Sequence, residues 1–347
     1  MLLRIWRELG KISPFHPEKR AGNFVSIIVA CRNEQENLTD LLNDLKAQDY
    51  PENLFEVIII DDNSTDRTFE LASGFKDLKN LTVLKNPGRG KKEAIRTGVG
   101  LSLSDLIITT DADCRMGREW LGTISSFYHK KSSDLIVCPV RLEKGKGLIS
   151  RCMELEYISL QGVTAGTILY GNSTMCNGAN LAFRKEIYIE NQSKLHPEIA
   201  SGDDIFLLHA IKKIPGARID WLESMESVVT TVNNASAGKF LAQRKRWIKK
   251  AAAYDDMHTI MLGIVTFVTI LLQVLSLIAG LFDSTYFYIY LAILAVKSIP
   301  DYLILRNTTK RYGKSDLIAY FIPSQIIYPF YVLITALYAF VIPGKKS

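Results

Sequence analysis

Three acidic pairs and one basic, aromatic motif stand out as residues that could do chemistry. In DLIITTDADC a hydrophobic run ends in Asp111 and Asp113, one residue apart. On a strand, alternate residues face the same side, so both carboxylates would approach one hard cation, and such a cation neutralises a diphosphate. A divalent ion held there would act as Lewis acid for a departing nucleoside diphosphate. Asp61 and Asp62 close a second run in IIIDDNSTDRT, where Ser64, Thr65 or Asp66 can cap the next helix. The two aspartates then either serve a βα turn or hydrogen-bond a nucleotide base or ribose. The same two readings apply to Arg32, Asn33 and Glu34 after the first apolar run. Asp203 and Asp204, in SGDDIF, precede an apolar helical stretch. They suit a helix N-terminus by charge, and equally the base that group transfer needs to deprotonate an acceptor hydroxyl. In QRKRW, Gln243, Arg246 and Trp247 share a helical face by i, i+3, i+4 spacing. The segment reads as a juxtamembrane basic helix or as part of a site.

The elements that must position these residues alternate. FVSIIVA, from Phe24 to Ala30, is short, β-branched and bounded by polar residues, as a buried parallel strand should be. NEQENLTDLLNDLKAQ places Leu38, Leu41, Leu42 and Leu45 at helical spacing. FEVIIIDD, STDRTFELASGF, LTVLKN and KKEAIRTGVGLS continue as strand, helix, strand and helix, and DLIITTDADC and DLIVCPVRL supply two further strands. Such alternation predicts an α/β fold with a mostly parallel, helix-covered sheet. Ligands of these sheets bind beyond the carboxyl ends of the strands, where the acidic pairs lie.

After Trp247 the chain changes character. Met261 to Phe282 is an uncharged run long enough to cross a bilayer. Tyr286 to Ile304 is a second span, with Lys297 and Asp301 near its end. Leu317 to Ile342 is a third, kinked or re-entrant at Pro323 and Pro329. About three transmembrane helices are therefore expected. Of the 347 residues, 48% are apolar and 22% charged, and the net charge is +6. The basic residues flank the apolar segments: Arg244 to Lys250 before the first, Arg306 to Lys314 before the third. That is the positive-inside pattern of an integral membrane protein, in the inner membrane if the cell is bacterial, with the catalytic domain in the cytoplasm. Nucleic acid is not the expected partner. Leu2, Leu3, Ile5, Trp6, Leu9 and Ile12 give residues 1–22 an amphipathic character, suited either to a membrane surface or to packing on the domain. Five cysteines show no C-x-x-C pair, which argues against zinc and for reduced thiols.

Taken in order, VSIIVACRNE, VIIIDDNSTD, GKKEA, TTDADC, SGDD and QRKRW resemble glycosyltransferase family 2, whose catalytic domain has the GT-A fold. The resemblance covers residues 24 to 250. It implies a GT-A nucleotide-sugar domain over 23–250 and a transmembrane region over 257–343. By the same resemblance, Ala30, Arg32 and Glu34 border the base and ribose, with Asp62, ahead of Asp61, contacting the nucleoside. Lys91 corresponds to the nucleotide-contacting basic residue of the family's G-K segment. Asp111 and Asp113 correspond to the D-x-D pair that binds Mg²⁺ or Mn²⁺, with Asp113 the direct ligand. Asp204, with Asp203 beside it, corresponds to the general base, and Asn177 and Gly178 to the acceptor-facing loop. Gln243, Arg246 and Trp247 resemble the Q-x-x-R-W motif of membrane synthases, which holds the diphosphate and lines the acceptor site. SGDD in place of threonine-glutamate-aspartate, and GKKEA after the glycine, depart from the usual pattern and bear on substrate identity.

The resemblance implies an inverting, metal-dependent transferase that moves a sugar from a nucleotide-diphosphate donor to a lipid-linked or glycan acceptor at the membrane. The alternative is a processive polysaccharide synthase. Three spans give little material for a translocation channel unless the chain forms a homo-oligomer or has an accessory membrane partner. A P-loop NTPase is disfavoured, since NPGRGKKE lacks the required spacing.

Overall fold

The computed structural model describes residues 1–17, 22–199, 201–233 and 237–341. Helix α1 (Leu2–Leu9) is followed by β1 (Val25–Cys31), α2 (Leu38–Lys46), β2 (Phe55–Asp61), α3 (Thr68–Gly74), β3 (Leu81–Lys85) and α4 (Lys91–Leu101). Next come β4 (Leu106–Asp111), β5 (Cys114–Met116), α5 (Trp120–Lys131), β6 (Leu135–Val137) and β7 (Val140–Leu142). Helix α6 (Gly147–Leu169) precedes β8 (Asn180–Arg184), α7 (Lys185–Asn191), α8 (Asp203–Lys212), β9 (Ile219–Trp221) and β10 (Val229–Thr231). Four helices end the chain: α9 (Ala237–Ala251), α10 (Met257–Ala279), α11 (Ser284–Arg311) and α12 (Phe321–Val341).

The chain folds as two compact units. One comprises Ile12–Glu143 and Met175–Val232. The other comprises Met1–Lys11, Lys144–Thr174 and Asn233–Ser347. This division crosses the linear boundaries read from the sequence: 144–174 and 233–250, expected within the first domain, group with the C-terminal helices.

In the first unit a seven-stranded sheet runs β3-β2-β1-β4-β8-β6-β9. It is parallel except at β8, which pairs antiparallel with both β4 and β6. Val25, Ile27, Ile28 and Val29 of β1 are fully buried, as a strand covered on both faces requires. Burying each such side chain is worth roughly 1.5–3 kcal/mol. The chain leaves β1 toward β2 and β3, then crosses through α4 to β4 on the other side. The order therefore reverses between β1 and β4, which is where α/β sheets leave a crevice for ligand. Two sequence expectations are corrected. DLIITTDADC is not one strand: β4 ends at Asp111, Ala112 and Asp113 form a turn, and Cys114 begins β5 in a separate three-stranded sheet of order β5-β10-β7. DLIVCPVRL likewise splits at Cys138 and Pro139, leaving β6 in the large sheet and β7 in the small one. Proline has no N–H to continue a ladder.

In the second unit, α6 packs against α1 and α11 through Gly162 and Gly166. A Cβ at Gly162 would stand 2.3 Å from Thr308 Oγ1, and one at Gly166 2.4 Å from Ile5 Cγ2, so only glycine admits these approaches. Among the described residues three segments, Met257–Ala279, Ser284–Arg311 and Ser315–Tyr338, are long and apolar enough to cross a membrane. Their limits differ by a few residues from the runs read in the sequence: Phe282 lies beyond α10, and residues 342 and 343 lie outside the described residues. Lys297 and Asp301, two of the charged residues of the second segment, form an ion pair at 2.7 Å, and Lys297 also donates to Gln325 Oε1 at 2.9 Å. Met261, Ile264, Val265, Val268, Leu272 and Leu275 leave an apolar face of α10 exposed. The helix of the N-terminal segment ends at Leu9; Ile5 and Leu9 are buried while Leu3 and Trp6 stay exposed.

Candidate active site

The loops that follow β1 and β2 hold each other. Asn33 N donates to Ser64 Oγ at 2.9 Å, and Thr65 N to Asn33 Oδ1 at 2.8 Å. Glu34 N donates to Thr68 Oγ1 at 2.7 Å, Gln35 N to Asp66 Oδ2 at 3.3 Å, and Arg67 N to Gln35 Oε1 at 3.2 Å. Helix α3 accordingly starts at Thr68, four residues after Ser64, because Ser64 and Thr65 are engaged across the loops. Asp66 accepts the Thr68 N–H at 3.0 Å. No single-segment pattern reveals this reciprocal clasp. It fixes the backbone of Asn33, Glu34 and Gln35 just beyond the carboxyl end of β1.

The two aspartates closing β2 have different surroundings. Asp62 is buried, and its Oδ1 accepts from Gly90 N at 2.7 Å and from Asn86 Nδ2 at 2.8 Å. Its Oδ2 lies 3.8 Å from Arg32 Nη1. Asp61 Oδ2 accepts from Ser64 N at 3.2 Å, while its buried Oδ1 has no hydrogen-bond partner among the described residues. Asp62 thus holds the start of α4, where Gly90 adopts φ +88°, a conformation that glycine takes without steric cost.

That geometry delivers Lys91. Its Nζ forms an ion pair with Asp111 Oδ1, at the end of β4 and in register with Ala30 of β1. Burial alone would lower the Lys91 ammonium, but the negative charges of Asp111, Asp203 and Asp204 reverse this and raise it above its ordinary value. Asp113, in the turn after β4, has its carboxyl raised by burial and by Asp111, with a hydrogen bond to Thr231 opposing. Burial raises Asp203 as well; Lys91 opposes that shift and Asp204 adds to it. Glu34 is raised by burial, opposed by its bond to Asn37, with Asp113 and Asp111 adding. These groups share one field, and the Asp111–Asp113 proximity comes from a tight turn rather than from strand alternation.

Asp203 and Asp204 open α8 behind Gly202, which sits at φ +92°. Asp204 Oδ2 accepts from Gly178 N at 3.1 Å, and its Oδ1 from Ile205 N at 2.8 Å. Gly178 O accepts from Thr109 Oγ1 of β4 at 3.0 Å, so the CNGAN loop ties Asp204 to the strand that carries Asp111.

In the other unit, Gln243, Arg246 and Trp247 all lie on α9, with Arg246 exposed and the other two half-buried. The buried member of QRKRW is Arg244. Its Nη2 pairs with Glu156 Oε2 of α6 at 2.7 Å, and its guanidinium stacks 4.3 Å from the Trp247 ring centroid. In the sequence alone Arg244 is a basic flank of the first apolar segment.

Residues 26–191 match the family model Glycosyl transferase family 2. The chain carries a family 2 glycosyltransferase domain. Among curated relatives, a poly(ribitol-phosphate) β-N-acetylglucosaminyltransferase of Staphylococcus aureus is 29% identical over 129 residues, 35% of this chain and 22% of the relative. Glycosyltransferase AglE of Haloferax volcanii is 35% identical over 100 residues, 28% of this chain and 33% of AglE. Poly-β-1,6-N-acetyl-D-glucosamine synthase of S. aureus is 25% identical over 169 residues, 48% of this chain and 40% of the synthase. The matches thus span less than half the length of each relative. Among solved structures, the mannosyltransferase of Pyrobaculum calidifontis in complex with GDP-Man and Mn²⁺ is 18% identical, with a TM-score of 0.54, covering 95% of this chain and 93% of that one. The glycosyltransferase domain has the GT-A architecture, and three membrane-length helices follow it.

The donor set fits a hard divalent cation of the Mg²⁺ or Mn²⁺ type. The Asp111 and Asp113 carboxylates offer oxygen donors, and such ions are commonly held by one or two carboxylates, with substrate phosphates and water completing the shell. Among the described residues no three or more His, Cys, Asp or Glu side chains are grouped so that they could hold a metal ion by themselves.

Proposed function

We propose that this chain is a membrane-bound, inverting glycosyltransferase that moves a sugar from a nucleoside-diphosphate donor to a lipid-linked or membrane-proximal acceptor, with its catalytic domain in the cytoplasm. The observation that carries the reading is the set of carboxylates, Asp111, Asp113, Asp203 and Asp204, whose charges all act on or around Lys91 beyond the carboxyl end of β4. The Pyrobaculum mannosyltransferase, solved with GDP-Man and Mn²⁺, supports a nucleotide-sugar donor and a metal. The basic residues of α9, and those between Arg306 and Lys314, support the orientation.

In this reading Arg32, Glu34, Ala30 and the Asp61–Asp62 pair border the nucleoside, and Lys91 meets the diphosphate. Asp113, with Asp111, would hold a divalent ion, which when bound neutralises charge on the leaving diphosphate. Asp204 takes the proton from the acceptor hydroxyl. The acceptor oxygen forms its bond to the anomeric carbon as the carbon–oxygen bond to the diphosphate breaks, with the electron pair leaving on the diphosphate. One displacement inverts the configuration. Gln243, Arg246 and Trp247 of α9 keep the role that their resemblance to the Q-x-x-R-W motif implies.

The test is to incubate membranes containing the full chain with a panel of labelled nucleotide sugars and Mg²⁺ or Mn²⁺, and to size the products. A single-sugar lipid product is expected, lost in Asp204→Asn. Absence of transfer with every donor overturns the reading. A long polymer would favour the second reading, a processive synthase, which the match to poly-β-1,6-N-acetyl-D-glucosamine synthase over 48% of the chain supports.

A further inference from the structure

Lys91 occupies the place on Asp111 that a metal ion would need. Its ammonium is paired with Asp111 Oδ1, and the carboxylates of Asp203 and Asp204 act on it from α8. A cation arriving alone must break the Lys91–Asp111 ion pair and sit beside the ammonium it displaces, two positive charges with no new anion between them. A cation arriving with a diphosphate need not do so, because a phosphate oxygen offers the ammonium a new partner at the moment Asp111 is released. The side chains of Lys91 and Asp111 are 39% and 35% exposed, so the flexible four-carbon stem can swing toward the crevice with no change in the backbone. Asp62 and Asn86 hold the Gly90 turn behind it, which keeps the swing local to the side chain.

We propose that Lys91 is a resident counter-ion that holds the metal's place on Asp111 until a nucleoside diphosphate draws it away, so that the site takes metal and diphosphate together and takes metal alone weakly. The inference rests on the reading of Asp111 and Asp113 as a metal–diphosphate site.

The test measures Mn²⁺ binding by electron paramagnetic resonance on the detergent-solubilised full chain, alone and with UDP or GDP. Lys91→Met is expected to bind Mn²⁺ alone about tenfold more tightly than wild type, a difference of about 1.4 kcal/mol. It should also lose most of the tightening that a diphosphate gives. Lys91→Gln, nearer in shape and polarity, provides the same comparison if the methionine variant folds poorly. Wild type gives an independent reading: diphosphate and Mn²⁺ should tighten each other by the same factor. Unchanged or weaker Mn²⁺ binding in both variants, with wild type still binding Mn²⁺ beside UDP or GDP, overturns the counter-ion role alone. If wild type binds no Mn²⁺ even with either diphosphate, the metal-site reading fails and the inference with it.

Discussion

Asp62 Oδ1 accepts the Gly90 N–H at 2.7 Å, so a carboxylate at the end of β2 fixes the turn that launches Lys91. The same oxygen takes the Asn86 amide. Asp62→Ala removes the acceptor of the part-buried Gly90 N–H and of one Asn86 amide hydrogen, which costs about 1–3 kcal/mol. The variant should melt several degrees lower and lose nucleotide binding, whereas Asp62→Asn, which keeps an acceptor, should melt closer to wild type. Thermal unfolding with and without UDP or GDP checks this. An alanine variant with unchanged melting and unchanged nucleotide binding would refute the anchoring role.

Asp204→Asn separates chemistry from architecture. Its amide oxygen can still accept from Gly178 N, so the CNGAN loop should stay in place. What is lost is the group that takes a proton, a contribution typically of 10²–10⁴-fold in rate. Transfer should fall by about that range while diphosphate binding, followed by calorimetry, stays within a factor of about three. Equal losses in both would point to a structural role instead.

The strands of the glycosyltransferase domain were legible because β1, β2 and β4 are mostly apolar, β-branched runs, and runs of that kind have few other uses. The acidic residues closing β2 and β4 were legible for the same reason. Strand alternation predicts that Asp113 lies beside Asp111, but Cys114 pairs into another sheet and the two carboxylates are brought together by a turn at Ala112 and Asp113. Helix α6 was not read at all. It is buried on nearly every side, so it has no polar stripe to give a helical period, and its Gly162 and Gly166 matter only through Thr308 and Ile5, far away in sequence. Arg244 was hidden likewise, since its partner Glu156 lies on α6.

Charge crowding at Asp113 has a testable sign. Its carboxyl is raised above the ordinary value of 3.8 in the folded protein by burial and by Asp111. A carboxyl raised on folding supports stability below its unfolded value, and that support is lost as pH rises through the folded value. At pH 7 the ionised group therefore works against the metal-free fold. Asp113→Asn should raise the melting temperature of metal-free protein at pH 7 and abolish any further rise on adding Mn²⁺ with UDP or GDP. Metal binding by wild type should weaken as pH falls through the raised values of Asp113 and Glu34, because protons then compete for the field. A lower melting temperature for the metal-free variant at pH 7 would contradict this account.

In the C-terminal unit, Lys297 and Asp301 lie one turn apart on α11, and Gln325 of α12 receives a second bond from the same ammonium. An isolated charge in an apolar helix costs on the order of 2–3 kcal/mol at the centre of a membrane, and removing one member of a pair leaves the other exposed to that cost. Lys297→Met should therefore lower the melting temperature of the solubilised chain. Lys297→Met combined with Asp301→Leu should recover most of the loss, because no charge is then left without a partner. Asp301→Leu alone should resemble the first variant. The double-mutant comparison isolates the pair from the separate effect of Gln325, which loses a donor in both Lys297 variants. If the losses in the two single variants simply add in the double variant, the two residues do not act as a pair, and the charges in this apolar segment need another explanation.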